Sequence, residues 1–348
     1  MRGTVLHGPG DIRLDERPDP VIHAPTDAII EVLATCVCGS DLWWFRGVHL
    51  ADKPRIIGHE AVGVVREVGA EVRTVRPGDF VITPFLWSDN TCAHCAAGVT
   101  SSCANGGGFG ALDRDGHPVD GCQGEFIRIP LADGTLVAAP HPENDAMLAS
   151  MLGLSDVTST GWHAAVSAGV RPGHTVAVVG DGAVGLSAVA SAVALGAERV
   201  IAMSKYPDRQ ALARELGATE VVDSRGDEAV AAVLDLTGGI GADAVLECVG
   251  TSESLNSALT MARPGSTVGF VGIPHDAAPP VSRMFADNVA LAGGMAPVRH
   301  YLPDLIQRVL DGWTAPGRVF DRVRPLAEVA EAYADMDQRR ATKVLLRP

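Results

Sequence analysis

Hydrophobic residues follow two different patterns in the first and second parts of the chain. Up to about residue 140, short β-rich runs at 28–34, 61–68 and 78–82 are separated by glycine and proline, which predicts an all-β domain. From about residue 144, short apolar strands alternate with helices rich in small residues. That alternation is typical of βαβ units around a parallel sheet.

The second pattern predicts a regular series of elements. Helices are predicted at 146–154, 183–195, 208–216 and 301–311, and strands at 176–180, 200–203, 221–223, 244–249, 267–271 and 343–346. The predicted class is therefore α/β with two domains. A β-rich domain fills the first part of the chain, and a domain with a parallel sheet follows from about residue 144.

Composition and charge narrow the classes of function. The 348 residues are 47% hydrophobic and 20% charged, which describes a globular protein. The formal net charge of −14 argues against nonspecific binding to nucleic acid, which needs a basic surface. The chain has no run of 18 apolar residues and no signal-peptide pattern at its start. We expect a cytoplasmic protein that binds neither nucleic acid nor membranes.

Cysteine and histidine spacing indicates a metal site. The chain has seven cysteines, and an odd number at short spacings favours metal binding over disulfides. Cys38 is followed 21 residues later by His59, and Glu60 is adjacent. A thiolate, an imidazole and a carboxylate are ligand types of a catalytic zinc. Each residue alone is equally typical of a buried core position, so the rest of the chain has to decide.

A glycine-rich loop follows the predicted strand at 176–180 and begins a helix. Its glycines match G-x-G-x-x-G, and the strand-to-helix context makes the match strong. The glycines permit a tight turn, close approach of backbone N–H groups to a pyrophosphate, and close helix–strand packing, while the helix N-terminus attracts phosphate. The cofactor-binding residues predicted here are Gly180, Asp181, Gly182, Ala183, Val184 and Gly185.

The end of the next strand indicates which dinucleotide is bound. NAD sites usually place an acidic residue about 20 residues beyond the glycine motif, on the ribose 2′-hydroxyl. Here the strand ends with Ser204 and Lys205, and Arg209 follows. These side chains are suited to a 2′-phosphate. We predict NADP(H) as the preferred cofactor, with NAD(H) as the alternative. Asp208 could be the acidic residue of an NAD site, but we expect it to cap the following helix.

These motifs together resemble the zinc-containing medium-chain dehydrogenase/reductase (alcohol dehydrogenase) family. The resemblance covers essentially the whole chain. It implies a GroES-like β-rich catalytic domain at 1–152 that is completed by 288–348, and a Rossmann domain with a doubly wound parallel sheet at 153–287. It is carried by Cys38-Gly39-Ser40-Asp41, Gly58-His59-Glu60-Ala61-Val62-Gly63, Pro77-Gly78-Asp79-Phe80-Val81, the loop from Gly180 to Gly185, and Lys343-Val344-Leu345-Leu346.

The resemblance also implies a third zinc ligand. In that family the ligand comes from a helix just before the nucleotide-binding domain, and the Ser159-Thr160-Gly161-Trp162 step places Asp156 there. Cys38, His59 and Asp156 are then the expected ligands of a catalytic Zn²⁺. An Asp at this place resembles NADP-dependent bacterial and archaeal secondary-alcohol dehydrogenases. It also resembles the formaldehyde dehydrogenase/dismutase branch, whose usually longer chains and bound NAD make it the less favoured match.

Further roles follow from the resemblance. Glu60 resembles the family's carboxylate that approaches the zinc. Asp41 resembles the acid that orients the histidine ligand, and Ser40 resembles the hydroxyl that passes on the substrate proton. Relatives often carry a relay histidine five residues after the zinc cysteine, where this chain has Trp43. The proton must then travel through ribose hydroxyls, water or a group such as His49. The resemblance leaves Trp43 and Trp87 as candidates for the substrate pocket or for the core.

A second metal site and one more cofactor contact are implied by the same family. Residues 89–123 form a long irregular stretch, and such stretches are usually functional or held by a metal. The resemblance implies a structural zinc bound by Asp89, Cys92, Cys95 and Cys103, with an empty lobe of free thiols as the alternative. Lys343 lies where relatives place a basic residue near the cofactor phosphate.

The predicted function is a zinc-dependent alcohol dehydrogenase or carbonyl reductase. It would transfer hydride between NADP(H) and a small alcohol or the corresponding aldehyde or ketone. One alternative is an NAD-dependent polyol, sugar or amino-alcohol dehydrogenase, and a remote one is a nonenzymatic dinucleotide-binding protein. The resemblance implies a homotetramer or homodimer as the assembly and a small molecule as the other partner.

Overall fold

The structure is a computed structural model that describes residues 1–49, 54–275 and 277–348. It divides into two compact units, residues 1–156 with 297–348, and residues 157–296. The boundaries predicted from the sequence, 152 and 287, fall four and nine residues earlier. As a result, Asp156 belongs to the first unit.

The first unit opens with short strands and helices. They are β1 (Arg2–Gly8), β2 (Asp11–Glu16), β3 (Ala28–Cys36), α1 (Asp41–Phe45), β4 (Arg55–Ile56), β5 (Ala61–Val68), β6 (Phe80–Thr83), β7 (Leu86–Trp87), α2 (Ala93–Ala96), β8 (Gly107–Gly108), β9 (Phe126–Ile129), α3 (Ala132–Thr135), β10 (Val137–Ala139) and α4 (Asp145–Leu154).

The second unit alternates helices and strands. They are α5 (Val157–Ser167), β11 (Thr175–Val179), α6 (Ala183–Ala194), β12 (Arg199–Met203), α7 (Pro207–Glu215), β13 (Glu220–Val222), α8 (Gly226–Leu236), β14 (Ala242–Glu247), α9 (Ser252–Met261), β15 (Ala262–Phe270), α10 (Val281–Asp287) and β16 (Ala290–Gly293). The chain then returns to the first unit with α11 (Val298–Leu310), β17 (Arg322–Pro325), α12 (Val329–Asp337) and β18 (Val344–Arg347).

The main sheet of the first unit has the order β10-β6-β5-β3-β18-β17, and β9 also pairs with β3. The C-terminal strand β18 runs antiparallel to β3, with Leu345 opposite Cys36. Alternating apolar residues of β3, β5 and β9 form a buried core that includes Ile30, Val65 and Ile127. The end of the chain is thereby placed beside the segment that carries Cys38.

The second unit is built around a parallel sheet with the order β13-β12-β11-β14-β15-β16. Counted from β11, this is the strand order 3-2-1-4-5-6 of a doubly wound dinucleotide-binding fold. The predicted α/β class with a doubly wound parallel sheet is confirmed. In the described part of the chain, no helix combines the length and the hydrophobicity needed to cross a membrane.

Helices α5 and α6 approach closely because a glycine lies between them. A Cβ atom on Gly161 would lie 2.5 Å from the backbone nitrogen of Ala188 and 2.7 Å from the carbonyl carbon of Ser187. Backbone atoms cannot move aside as a flexible side chain can. The absence of a side chain at 161 therefore sets the distance between these two helices.

We predict that Gly161→Ala lowers the thermal unfolding midpoint, although Ala is the better helix former. The clash with α6 should cost about 1–3 kcal/mol, more than the roughly 1 kcal/mol that Ala gains in helix propensity. The control is Val166→Ala on the same helix, where the side chain is 42% exposed. A midpoint raised by Gly161→Ala would contradict close backbone packing between α5 and α6.

Candidate functional site

Four side chains of the first unit that could bind a metal ion converge from separate segments. Cys38 follows β3, His59 and Glu60 precede β5, and Asp156 lies between α4 and α5. One donor atom from each lies within 4.8 Å of the others. Residues more than a hundred positions apart thus form one cluster.

The distances in this cluster suit a tetrahedral ion. Asp156 Oδ2 lies 3.4 Å from Cys38 Sγ and 3.3 Å from His59 Nε2. Zinc bonds of about 2.0–2.3 Å in tetrahedral geometry place neighbouring ligand atoms about 3.3–3.8 Å apart. These two separations, and the nature of the donor atoms, therefore fit a zinc ion.

The electrostatics of the cluster also favour a cation. Glu60 is fully buried, and its Oε2 has no hydrogen-bond partner among the described residues. Burial raises the pKa of the Cys38 thiol, and the nearby Asp156 raises it further. Burial likewise raises the pKa of Glu60, against the lowering effect of Lys343. A bound divalent ion would offset the mutual repulsion of these buried groups.

Asp41 connects two of the cluster residues. Its Oδ1 lies 3.4 Å from His59 Nδ1, and its Oδ2 accepts a hydrogen bond of 3.0 Å from the backbone N–H of Cys38. Ser40 occupies the N-cap position of α1, yet within the described chain its side chain makes no capping hydrogen bond. The Ser40 hydroxyl is therefore not committed to helix capping.

Lys343 is a partner of Glu60. Its Nζ lies 2.7 Å from Glu60 Oε1 and donates to the carbonyl of Val37 at 3.2 Å. The side chain is 1% exposed, and the neighbouring anionic groups raise its pKa well above the usual value despite burial. The predicted contact with a cofactor phosphate stays a prediction. Sequence reasoning missed the pairing with Glu60, because no local signal links residues so far apart.

The two tryptophans predicted for the substrate pocket lie in different environments. Trp87 is 3% exposed and belongs to the hydrophobic core of the first unit. This placement agrees with the core alternative for Trp87, whose ring lies against Gly107, and a role of Trp87 in the substrate pocket stays a prediction. Trp43 lies half-buried on α1, with its ring 6.2 Å from that of the exposed His49. Its role in substrate binding stays a prediction.

A second cluster lies in the irregular stretch after β7. The donor atoms of Asp89, Cys92, Cys95 and Cys103 lie within 4.8 Å of one another. Cys92 Sγ is 3.6 Å from Cys95 Sγ and 3.9 Å from Cys103 Sγ. All seven cysteines lie in the described part of the chain and are free of disulfides. These spacings match thiolates around a shared ion.

Local hydrogen bonds position Asp89 in this second cluster and lower the pKa of Cys92. Asp89 Oδ1 accepts from the backbone N–H groups of Thr91 at 2.8 Å and Cys92 at 3.0 Å. Backbone N–H groups of Cys95 and Ala104 lower the pKa of Cys92 to about 7, which favours the thiolate that binds metal. His94 contacts the Ser102 carbonyl instead.

The glycine loop of the second unit has the geometry of a phosphate-binding turn. Gly180 has a φ of +120°, and a Cβ on Gly185 would lie 2.1 Å from the Gly180 carbonyl oxygen. Gly182 is the N-cap of α6, and a Cβ there would meet no described atom within 4 Å. The loop thus leaves space for a ligand at the start of an α-helix.

The residues predicted to recognise a 2′-phosphate surround a carboxylate. Asp181 accepts a hydrogen bond of 2.8 Å from the Ser204 hydroxyl and pairs with Arg209 at 3.1 Å. Arg209 also stacks over Tyr206, while Lys205 is exposed. Sequence reasoning placed Asp181 in the loop and missed its partners. The available signal for these contacts was the position of Asp181, an acidic residue between two glycines at the end of β11.

Comparison with known protein families covers most of the chain. Residues 24–141 match the model of the alcohol dehydrogenase GroES-like domain. Residues 183–311 match the model of the zinc-binding dehydrogenase. These matches correspond to the β-rich part of the first unit and to most of the second.

Individual relatives agree with the family matches. A zinc-type alcohol dehydrogenase B of Aspergillus flavus is 34% identical over 100% of this chain and 81% of its own length. A probable zinc-binding alcohol dehydrogenase of Mycobacterium tuberculosis is 35% identical over 96% of this chain and 85% of its own. Among solved structures, alcohol dehydrogenase TADH from Thermus sp. ATN1 superposes with a TM-score of 0.91 at 31% identity, covering 100% and 99% of the two chains.

We predict that the purified protein contains about two zinc ions per chain, one for each cluster. Cys38→Ser and Cys95→Ser should each lower the content to about one, because a lost thiolate removes one site and leaves the other intact. Elemental analysis after dialysis measures this. Cys248→Ser is the control, since Cys248 lies in neither cluster. Unchanged zinc in Cys95→Ser would argue for an empty second cluster.

Proposed function

Because the chain belongs to the zinc-containing medium-chain dehydrogenase/reductase family, we propose that it is an alcohol dehydrogenase or carbonyl reductase that uses NADP(H). The observation that carries the proposal is the convergence of Cys38, His59 and Asp156 beside a buried Glu60 with an unpartnered oxygen. The substrate is a small alcohol or the matching aldehyde or ketone. The NADP-dependent secondary-alcohol branch remains the preferred subgroup.

Cys38, His59 and Asp156 would hold the catalytic zinc ion. When bound, zinc acts as a Lewis acid that stabilises negative charge on the substrate oxygen. Asp41 holds the His59 imidazole from the other ring nitrogen, and Lys343 balances the charge of Glu60. These two contacts keep the ligand side chains oriented while the substrate changes charge.

The proton of the substrate hydroxyl needs a route out of the site. The Ser40 hydroxyl is half-buried and, in the described structure, makes no capping bond, so it is the proposed first acceptor. Trp43 carries no titratable group at the position where relatives often have a relay histidine. We therefore assign the next step of proton transfer to solvent water or to the cofactor ribose.

Preference for NADP(H) is proposed from the charges at the end of β12. Lys205 and Arg209 bring two positive charges near the loop, and Asp181 brings one negative charge. The balance favours a 2′-phosphate, and the Ser204 hydroxyl adds a hydrogen-bond donor. The specific observation that favours NAD(H) is Asp181 itself, because a carboxylate is the usual partner of an unmodified ribose hydroxyl.

A panel of secondary alcohols, aldehydes, ketones and polyols, followed by NADPH absorbance, tests the proposed reaction. Turnover of alcohols or carbonyls is expected, and Asp156→Ala should abolish it together with one zinc ion, because two remaining ligands do not retain the metal. Asp145→Asn is a matched control, since that carboxylate is exposed. Full activity in metal-free protein would exclude the zinc mechanism, and turnover of polyols with NAD alone would favour the polyol dehydrogenase alternative.

The cofactor preference has its own prediction. Wild-type enzyme should have a higher kcat/KM with NADPH than with NADH, and Arg209→Ala should lower the NADPH value by about 10–100-fold, consistent with losing a hydrogen bond to a charged group. Arg214→Ala, on the exposed side of the same helix α7, should change neither value. A wild-type preference for NADH would overturn the NADP(H) assignment.

The same assay tests Asp181. Asp181→Asn keeps the size of the side chain and an oxygen that can accept the hydrogen bond from Ser204, and it removes the negative charge. We expect the ratio of kcat/KM for NADPH over NADH to rise by about 5–10-fold, which corresponds to roughly 1–1.4 kcal/mol. A fall in that ratio would mean that Asp181 is needed to position Arg209 for the phosphate.

A further inference from the structure

We infer that Gln123, held by Tyr333, is a positioning residue for the zinc ligand His59 and acts through Asp41. Gln123 and Tyr333 are fully buried in the first unit. The inference rests on the proposed catalytic zinc site. It adds two residues, Gln123 and Tyr333, that take no direct part in the proposed reaction.

The hydrogen bonds of Gln123 determine the orientation of its amide. Nε2 donates to the Cys36 carbonyl at 3.0 Å and to Asp41 Oδ2 at 3.3 Å. A carbonyl and an ionised carboxylate can only accept, so the amide nitrogen must face them. Oε1 then faces away and accepts a hydrogen bond of 3.1 Å from the Tyr333 hydroxyl.

Asp41 carries this orientation to the metal ligand. Its Oδ2 receives two donors, the Gln123 amide and the backbone N–H of Cys38. Two donors on that oxygen restrict rotation of the carboxylate, and Oδ1 lies 3.4 Å from His59 Nδ1. Partners of this kind set the ring orientation of a metal-binding histidine, and their loss typically lowers metal affinity by about 10–100-fold.

Gln123 also holds the loop that carries His59. Its backbone N–H donates to the Ile57 carbonyl at 3.3 Å, and the N–H of Cys122 donates to Gly58 at 2.9 Å. A Cβ on Gly58 would lie 2.5 Å from Gln123 Cγ. The glutamine side chain therefore crosses the loop where only glycine leaves room. Gln123 thus contacts the loop that carries His59 and, through Cys36 and Asp41, the segment that carries Cys38, which are two of the three segments that supply the proposed zinc ligands.

Tyr333 anchors the outer end of this chain of hydrogen bonds. It lies on α12, and its ring is 5.4 Å from that of Phe45 on α1. Burial raises the pKa of its hydroxyl well above the usual value, so the hydroxyl remains a donor. The C-terminal helix thus supports His59 through three successive side chains.

The test is the rate of zinc release from holoenzyme to an excess of a chromogenic chelator. The release phase that is absent in Cys38→Ser identifies the catalytic site. Gln123→Met should accelerate that phase by about 10–100-fold and leave the phase of the second cluster unchanged. Tyr333→Phe, which removes only a hydroxyl, should accelerate it by a smaller factor. The double variant should release zinc no faster than Gln123→Met, because Tyr333 acts through Gln123.

The control is Ile127→Val, which loses one buried methylene in the core of the same unit. It should lower the unfolding midpoint while catalytic zinc leaves at the wild-type rate. Equal acceleration in Ile127→Val would assign the effect to general destabilisation and overturn the inference. A wild-type release rate in Tyr333→Phe would overturn it even if Gln123→Met does not fold. Absence of any Cys38-dependent phase in wild-type protein would instead contradict the proposed zinc site.

Discussion

The buried ion pair between Lys343 and Glu60 is the contact on which the catalytic cluster depends. Nζ and Oε1 lie 2.7 Å apart, and neither side chain is more than 1% exposed. Two buried charges stabilise each other only where geometry is good and other hydrogen bonds are made. Here the Val37 carbonyl accepts a second N–H from Lys343. One Glu60 oxygen still lacks a partner among the described residues. The pair therefore supplies the cluster with a carboxylate that retains one oxygen for a cation.

The topology of the first unit explains how this contact forms. Strand β18 adds to β3, the strand that leads into Cys38, and so brings the last residues of the chain to the metal cluster. Helix α12, just before it, carries Tyr333 to Gln123. The C-terminal segment thus contributes two supporting contacts. Lys343 places a cation beside Glu60, and Tyr333 donates a hydrogen bond to Gln123, which in turn donates to Asp41. Loss of this segment would leave Glu60 buried without its cationic partner, which is unfavourable for a folded domain.

Local sequence signals predicted the secondary-structure elements and the candidate metal ligands better than the contacts that hold those ligands in place. The strand–glycine–helix pattern from Val176 onward located β11 and α6, and family motifs supplied Cys38, His59 and Asp156. Helix α9 was not predicted because it is rich in Ser, Asn and Thr, which have low helix propensity; a capping box at Thr251 compensates. Lys343 joins Glu60 across 283 positions, and only the folded sheet creates that proximity.

The negative charge of the whole chain opposes the proposed cofactor, so local geometry has to provide the attraction. The formal net charge is −14, but at physiological ionic strength charges beyond about 8 Å are largely screened. The nearby groups are the N-terminus of α6, Arg209 and Lys205, set against Asp181. Asp181 already binds Ser204 and Arg209, so a 2′-phosphate would compete with this carboxylate for the same two side chains. Binding would require Arg209 to exchange one anionic partner for another, and that exchange would be easier without the charge of Asp181.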